Sequence, residues 1–168
     1  TFFFAIVICA YTGFLISVLV RFPILNTSIL PALFVISGLS AGTASVCIIA
    51  NKFFKEDRHS SDMQILHKIE WPIMFIEIIF LTMLYVSLVV GSAFTQAGLE
   101  GFHEGTWANV FWLGVVCVGF ILPLFLNFFL GKKIAHSSSA FYISAMSSIV
   151  GVLCLRMFVI YAGQIFSI

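Results

Sequence analysis

The chain of 168 residues is 61% apolar and 9% charged, with a net charge of +1 and a mean hydropathy of +1.15. A soluble domain needs about 25% charged residues to wet its surface, so this composition excludes one, and the near-zero net charge gives no footing for a nucleic-acid partner. What remains is an all-α, polytopic membrane protein, because runs of about 20 apolar residues cross the hydrocarbon layer as helices.

Five transmembrane helices are predicted. Span A covers about residues 2–20 and ends at Arg21, Phe22 and Pro23. Span B covers about 29–50, opened by Asn26-Thr27-Ser28 and by Pro31, which suits a helix start because its missing N–H is unpaired there anyway. Span C covers about 66–91, span D about 107–130, closed by Gly131-Lys132-Lys133, and span E about 139–162. Pro72 and Pro123 fall inside C and D and predict kinks. Thr1 precedes Phe2-Phe3-Phe4 with no initiating Met and no basic leader, so the natural protein is expected to continue upstream.

Loop lysines and arginines set the orientation. The B–C segment carries Lys52, Lys55, Arg58 and Lys68, and the D–E loop carries Lys132 and Lys133, against Arg21 alone on the other side. The B–C and D–E loops are therefore expected in the cytoplasm, with the A–B loop, the C–D loop and the C-terminus in the periplasm. Residues 92–106, with Glu100, His103 and Glu104 among glycines, read as a loop facing water or a partner. Cys9, Cys47, Cys117 and Cys154 are scattered through apolar runs, with none of the spacing of a zinc or iron–sulfur site.

Polar groups inside a span are costly to keep and carry the functional signal. Glu77 lies near the middle of span C. Glu70 is seven residues earlier, and seven steps of 100° leave the two about 20° apart around the axis. His67 is a turn below on the same side. The three make a ladder that suits proton transfer between stepped titratable groups, or else carboxylates that merely accept hydrogen bonds from neighbouring helices. Arg156 in span E stays protonated and needs a partner, and Glu77 is the carboxylate at similar depth, so a buried Glu77–Arg156 ion pair is expected. It would lock two helices together or tune Glu77. In span B, Ser37, Gly38, Ser40, Ala41, Gly42 and Ser45 form small-residue faces for close helix packing or a narrow hydroxyl track, and Ser144, Ser147, Ser148 and Gly151 repeat the pattern in span E. Tyr11, mid-span in A, calls for a hydrogen-bond partner of its own. A b-type haem would need two histidines facing each other at one depth. His59, His103 and His136 lie in or beside loops and His67 near a helix end, so no haem is expected.

Three stretches together resemble one family: Tyr11-Thr12-Gly13-Phe14-Leu15-Ile16-Ser17 with Pro23 and Asn26; Leu30-Pro31-Ala32-Leu33-Phe34-Val35-Ile36-Ser37-Gly38-Leu39-Ser40-Ala41-Gly42; and Leu155-Arg156-Met157-Phe158-Val159-Ile160-Tyr161-Ala162-Gly163-Gln164. With His67-Lys68-Ile69-Glu70 and Glu77 between them, the chain is similar to the NrfD family, which includes the membrane subunit of polysulfide reductase (PsrC). The ending Tyr161-Ala162-Gly163-Gln164 and the spacing of Pro23 and Asn26 favour the NrfD branch, of the ammonia-forming nitrite reductase system. The resemblance implies an eight-helix subunit of two four-helix bundles without haem. This chain would be helices four to eight: 1–20 the last helix of the first bundle, 21–28 a periplasmic connection, and 29–168 the second bundle.

It also implies a subunit of the bacterial inner membrane that serves anaerobic respiration. Such a subunit oxidises quinol, with menaquinol expected, and passes electrons to a periplasmic four-cluster iron–sulfur protein and on to a catalytic reductase. Iron–sulfur clusters would sit only in the partner, and this part of the chain would not turn over alone. Tyr11 is the quinone-binding residue carried over, while Glu77 and Arg156 match polar residues of the second bundle. Two other readings stay open: an ion or solute transporter, with Glu77 between helices kinked at Pro72 and Pro123, and a passive anchor for partner subunits.

Overall fold

A computed structural model of the protein describes residues 2–19, 22, 24–53, 61–91, 96, 98–103, 105–128 and 138–165; the side chains of Phe2, His67 and Glu100, and those of residues 61–64, 127–128, 138–141 and 165, lie outside that description. So do Arg21, Pro23, Lys55, Arg58, His59, Glu104, Lys132, Lys133 and His136, and with them most of the charge asymmetry read for orientation. Lys52 and Lys68, at the α2–α3 end of the molecule, are exposed.

The described residues are helical throughout their regular structure. Helix α1 is Phe2–Ser17, α2 Ile29–Phe53 and α3 Ser61–Val90. Two short helices follow, α4 Glu100–His103 and α5 Gly105–Asn109, then a π-helix over Val110–Ile121 that runs into α6 Leu122–Phe128, and finally α7 Ser138–Ile165. Among the described residues, four stretches are long and apolar enough to cross a membrane: Ile29–Phe53, Lys68–Val90, Gly105–Leu126 and Tyr142–Gln164. Helix α1, with 16 residues, reaches about 24 Å at 1.5 Å per residue, short of the roughly 30 Å of a hydrocarbon core. Spans B, C and E fall where the sequence puts them.

Span D departs from expectation. It is a π-helix for 12 residues, not a kinked α-helix. Leu122 N–H bonds to the Cys117 carbonyl, five residues back. Pro123 stands just beyond, at the second position of α6, where its ring cannot donate the next bond. Because π-turns are wide and usually confined to a single turn, a run this long needs support from outside the helix. Gly119 provides it by packing backbone to backbone on Gly151 of α7, where a Cβ on Gly119 would stand 2.9 Å from the Gly151 Cα. Gly114 likewise leaves room for the Cys154 side chain. In α3, Pro72 is exposed and the helix runs through it from Ser61 to Val90.

Helix α7 is the centre. It packs on α2, on the π-helix and on α6, and half of its span is buried, against 22–33% for the other three. Helix α2 bridges the rest, packing on α1, α3 and α7. The close approaches are glycine-mediated, as expected where lipid gives no hydrophobic drive between helices. Gly13 of α1 meets the backbone of Pro31, and Gly38 of α2 lies under Cys9 and Arg156. Gly42 faces open space, so the small-residue face of α2 seats a neighbour at Gly38 and not one turn on.

The aromatic core collects at one end, where Phe102 of α4 lies edge-on to Phe111, Phe158 and Tyr85 at centroid distances of 4.8–5.5 Å. Helices α4 and α5 thus form a cap where the sequence reading has the loop 92–106 running into span D. Trp107 stacks on Tyr161 at 5.1 Å, and the Trp112 indole donates to the Phe102 carbonyl at 2.9 Å. The four cysteines are free thiols.

Candidate functional site

Glu77 is the deepest charged group in the described residues, 2% exposed. Four elements hold it there. Its own helix presents Glu70, Met74, Leu81, Leu84 and Leu88 on the same buried stripe, with steps of three, four and seven residues. Helix α2 brings the Ser40 hydroxyl, which donates a hydrogen bond to the Glu77 carboxylate. The π-helix and α7 close the far side with Val115, Gly119, Phe120, Ser148, Gly151 and Val152. Between these groups is a narrow void of about 10 Å³, at the lower bound for one water molecule. A carboxylate has about four acceptor sites and Ser40 fills one, so the void is polar where it meets Glu77.

The glycine contact shapes this void. Gly119 and Gly151 both line it and touch one another, so side chains there would fill it or part the helices. Gly119 also sits within the π-helix, which sets the register in which Val115, Gly119 and Phe120 face the void.

The ladder expected on α3 is present in part. Glu70 and Glu77 are both buried, with Met74 between them at 7% exposure, as the heptad spacing requires. Glu70 lies within electrostatic reach of Cys47 on α2. The side chain of His67 is outside the described residues.

The expected Glu77–Arg156 ion pair is absent. The Arg156 guanidinium lies over the Phe34 ring at 5.4 Å, its terminal nitrogen near Gly38, and its buried Nε has no hydrogen-bond partner. The physical reason is position. Arg156 is five residues past Gly151, about 7.5 Å further along the axis, and its guanidinium meets Phe34 and Gly38 of α2. Its charge is met by an aromatic face, a contact worth about 0.5–2 kcal/mol, and Glu77 is met by a neutral hydroxyl.

The serine stripes resolve mainly as packing. Ser37 donates to the Phe34 carbonyl, and Ser147 and Ser148 to the Ser144 carbonyl, each back onto its own helix, as serines in spans commonly do. Ser40 is the exception that reaches across. Ser144 Oγ is buried without a partner.

Tyr11 is 60% exposed on the outer side of α1, among Phe4, Val7, Ile8, Phe14 and Leu15, which are exposed as well. No described residue closes a pocket over it. Sequence reasoning missed one pair altogether: the Tyr85 hydroxyl lies 3.3 Å from His103 Nε2. The loop reading of residues 92–106 hid it, since only the folding of α4 brings His103 back over α3.

Comparison with known proteins covers the whole chain. The sequence profile described as "Polysulphide reductase, NrfD" matches residues 1–168. The chain is 38% identical over 167 residues to a protein NrfD homolog of Haemophilus influenzae, covering 98% of this chain and 51% of that protein. It is 37% identical over 167 residues to the C subunit of polysulfide reductase of Wolinella succinogenes (99% and 53%), and 37% identical over 162 residues to protein NrfD of Escherichia coli (96% and 50%). The chain spans about half the length of these relatives. No solved structure matches it.

Proposed function

The chain belongs to the NrfD, or polysulphide reductase, family and is an integral membrane protein; from that premise we propose that it forms part of the membrane subunit of a respiratory oxidoreductase that oxidises quinol. The electrons pass to a periplasmic four-cluster iron–sulfur protein and on to a catalytic reductase that reduces nitrite to ammonia. The membrane is the bacterial inner membrane, with the C-terminus in the periplasm.

The observation that carries this reading is Glu77: a carboxylate 2% exposed in mid-span, held by one hydroxyl beside a void sized for one water. A passive anchor has no use for such a group, which costs about 2.5–3.5 kcal/mol to insert. A protein that strips protons from quinol does. Each quinol gives up two electrons and two protons; the clusters of the partner take the electrons, and titratable side chains and water take the protons. In this account Glu77 holds a proton, Ser40 orients the carboxylate, and Glu70 and His67 continue the ladder toward the Lys52–Lys68 end. Arg156 acts as a fixed positive charge against α2. Tyr11 donates a hydrogen bond to a quinol oxygen from the outer side of α1, with the opposite wall of that pocket supplied by the half of the subunit that the relatives have and this chain does not span.

Titration of the complete protein in membranes with a fluorescent quinol analogue tests this. Saturable quenching, weakened about fivefold by Tyr11→Phe through the loss of one hydrogen bond, is expected. No binding to folded protein would leave a transporter or a bare anchor.

A further inference from the structure

A second feature of the bundle fits the same substrate class. The π-helix and α3 are not among the closely packed pairs, and a groove of about 390 Å³ lies between them, open along its outer side. Ten residues line it, from Tyr85 and Trp112 at one end to Leu124 at the other; four are aromatic (Tyr85, Phe111, Trp112 and Phe120), and the Thr82 hydroxyl among them is bonded back to the Ile78 carbonyl. Trp112 is fixed in place by its bond to the Phe102 carbonyl, so it serves the groove as a rigid flat wall. The groove is apolar along its length and polar at one end, where Tyr85 meets His103 at 3.3 Å and the His103 side chain is exposed. Tyr85 is five residues from the end of α3, about 7.5 Å along its axis on a 1.5 Å rise.

We infer that this groove binds the ring of a membrane-soluble isoprenoid quinone, with Tyr85 hydrogen-bonded to one ring oxygen and the tail running toward Leu124. The inference rests on the quinol reading above, and it places a quinone site within this chain, separate from Tyr11. Three observations favour a quinone over a lipid acyl chain. The volume lies in the range of small-molecule pockets, about 300–1,000 Å³. Aromatic walls suit a flat ring by offset or edge-on contact. The Tyr85–His103 pair gives a donor and an acceptor that a hydrocarbon tail cannot use, and the exposed imidazole connects that pair to water. A fourth observation ties the groove to the mechanism: Phe120 lines both the groove, on its tail side, and the void beside Glu77, so one aromatic side chain stands between the groove and the buried carboxylate.

Photolabelling of the complete protein in nanodiscs with a short-chain azido-naphthoquinone tests the assignment, with labelled peptides located by mass spectrometry. The expected result is label on the segments around Tyr85 and Trp112, competed by unlabelled naphthoquinone and not by excess phosphatidylglycerol. Tyr85→Phe, which keeps the ring packed on Phe102, should weaken that competition about fivefold, the worth of one hydrogen bond. Label confined to peptides of α1 or to other parts of the protein would overturn the groove and leave the quinol reading standing. Label in the groove displaced equally by phospholipid would make it a lipid cleft and overturn the inference. No competed label anywhere would remove both.

Discussion

Glu77 and Tyr11 stand out in the sequence for the same reason, a polar group too costly to keep in a span without a use, and the structure treats them in opposite ways. Glu77 is enclosed by four elements and 2% exposed; Tyr11 stands 60% exposed on an apolar helix face. The first is walled by residues of this chain. The second has no described residue over it, and its meaning depends on what lies against α1. A polar residue in a span is thus interpretable only with the groups around it, and cost alone does not say whether those groups are present.

The contrast makes graded predictions. The largest effect is expected at the backbone contact that frames the Glu77 void. Gly119→Val pushes a branched side chain into Gly151 and should cost about 3 kcal/mol or more, above the usual range for overpacking because the obstacle is backbone; the yield of monodisperse protein and its Tm measure this. Ser40→Ala should come next. It strips Glu77 of its hydrogen bond and should destabilise by about 1–2 kcal/mol, with a fall in quinol turnover that Ser40→Thr restores. Tyr142→Phe removes the 2.6 Å bond to Asn51 that ties α7 to the end of α2 and should cost about 1 kcal/mol with turnover intact. Smallest for stability is Tyr11→Phe, within about 0.5 kcal/mol as for other exposed positions. A large loss of Tm there would mean that Tyr11 is a packing residue and break the comparison.

Much of the fold is legible in the sequence because a bilayer leaves few options. Apolar runs give the spans, and the serine and glycine pattern on span E marks its buried face, as Ser37 and Ser40 do on span B, where Gly42 is exposed. The heptad spacing puts Glu70 and Glu77 on one buried stripe. What cannot be read depends on neighbours. The 12-residue π-helix has no local signature beyond Gly114, Gly119 and Pro123, since its support comes from Gly151 on another helix. Charge and depth alone match Arg156 to Glu77, but helix rotation turns it to Phe34, and a ring face or a hydroxyl leaves no charge pattern to search for. The Tyr85–His103 pair is lost to sequence reasoning because glycines around residues 92–106 suggest a loop, when α4 and α5 fold there and cover the bundle end.

The central claim is that Glu77 handles protons during turnover and is not a structural lock. Quinol-driven electron transfer by the complete subunit with its iron–sulfur partner, wild type against Glu77→Gln, tests it most directly. Glutamine keeps the shape and can still accept from Ser40 but cannot exchange a proton. The account predicts turnover at least tenfold lower, within the range of lost proton-transfer groups, at unchanged Tm and unchanged quinol binding. Turnover equal to wild type in the folded complex would contradict it and leave Glu77 as a hydrogen-bonded packing residue of a membrane anchor.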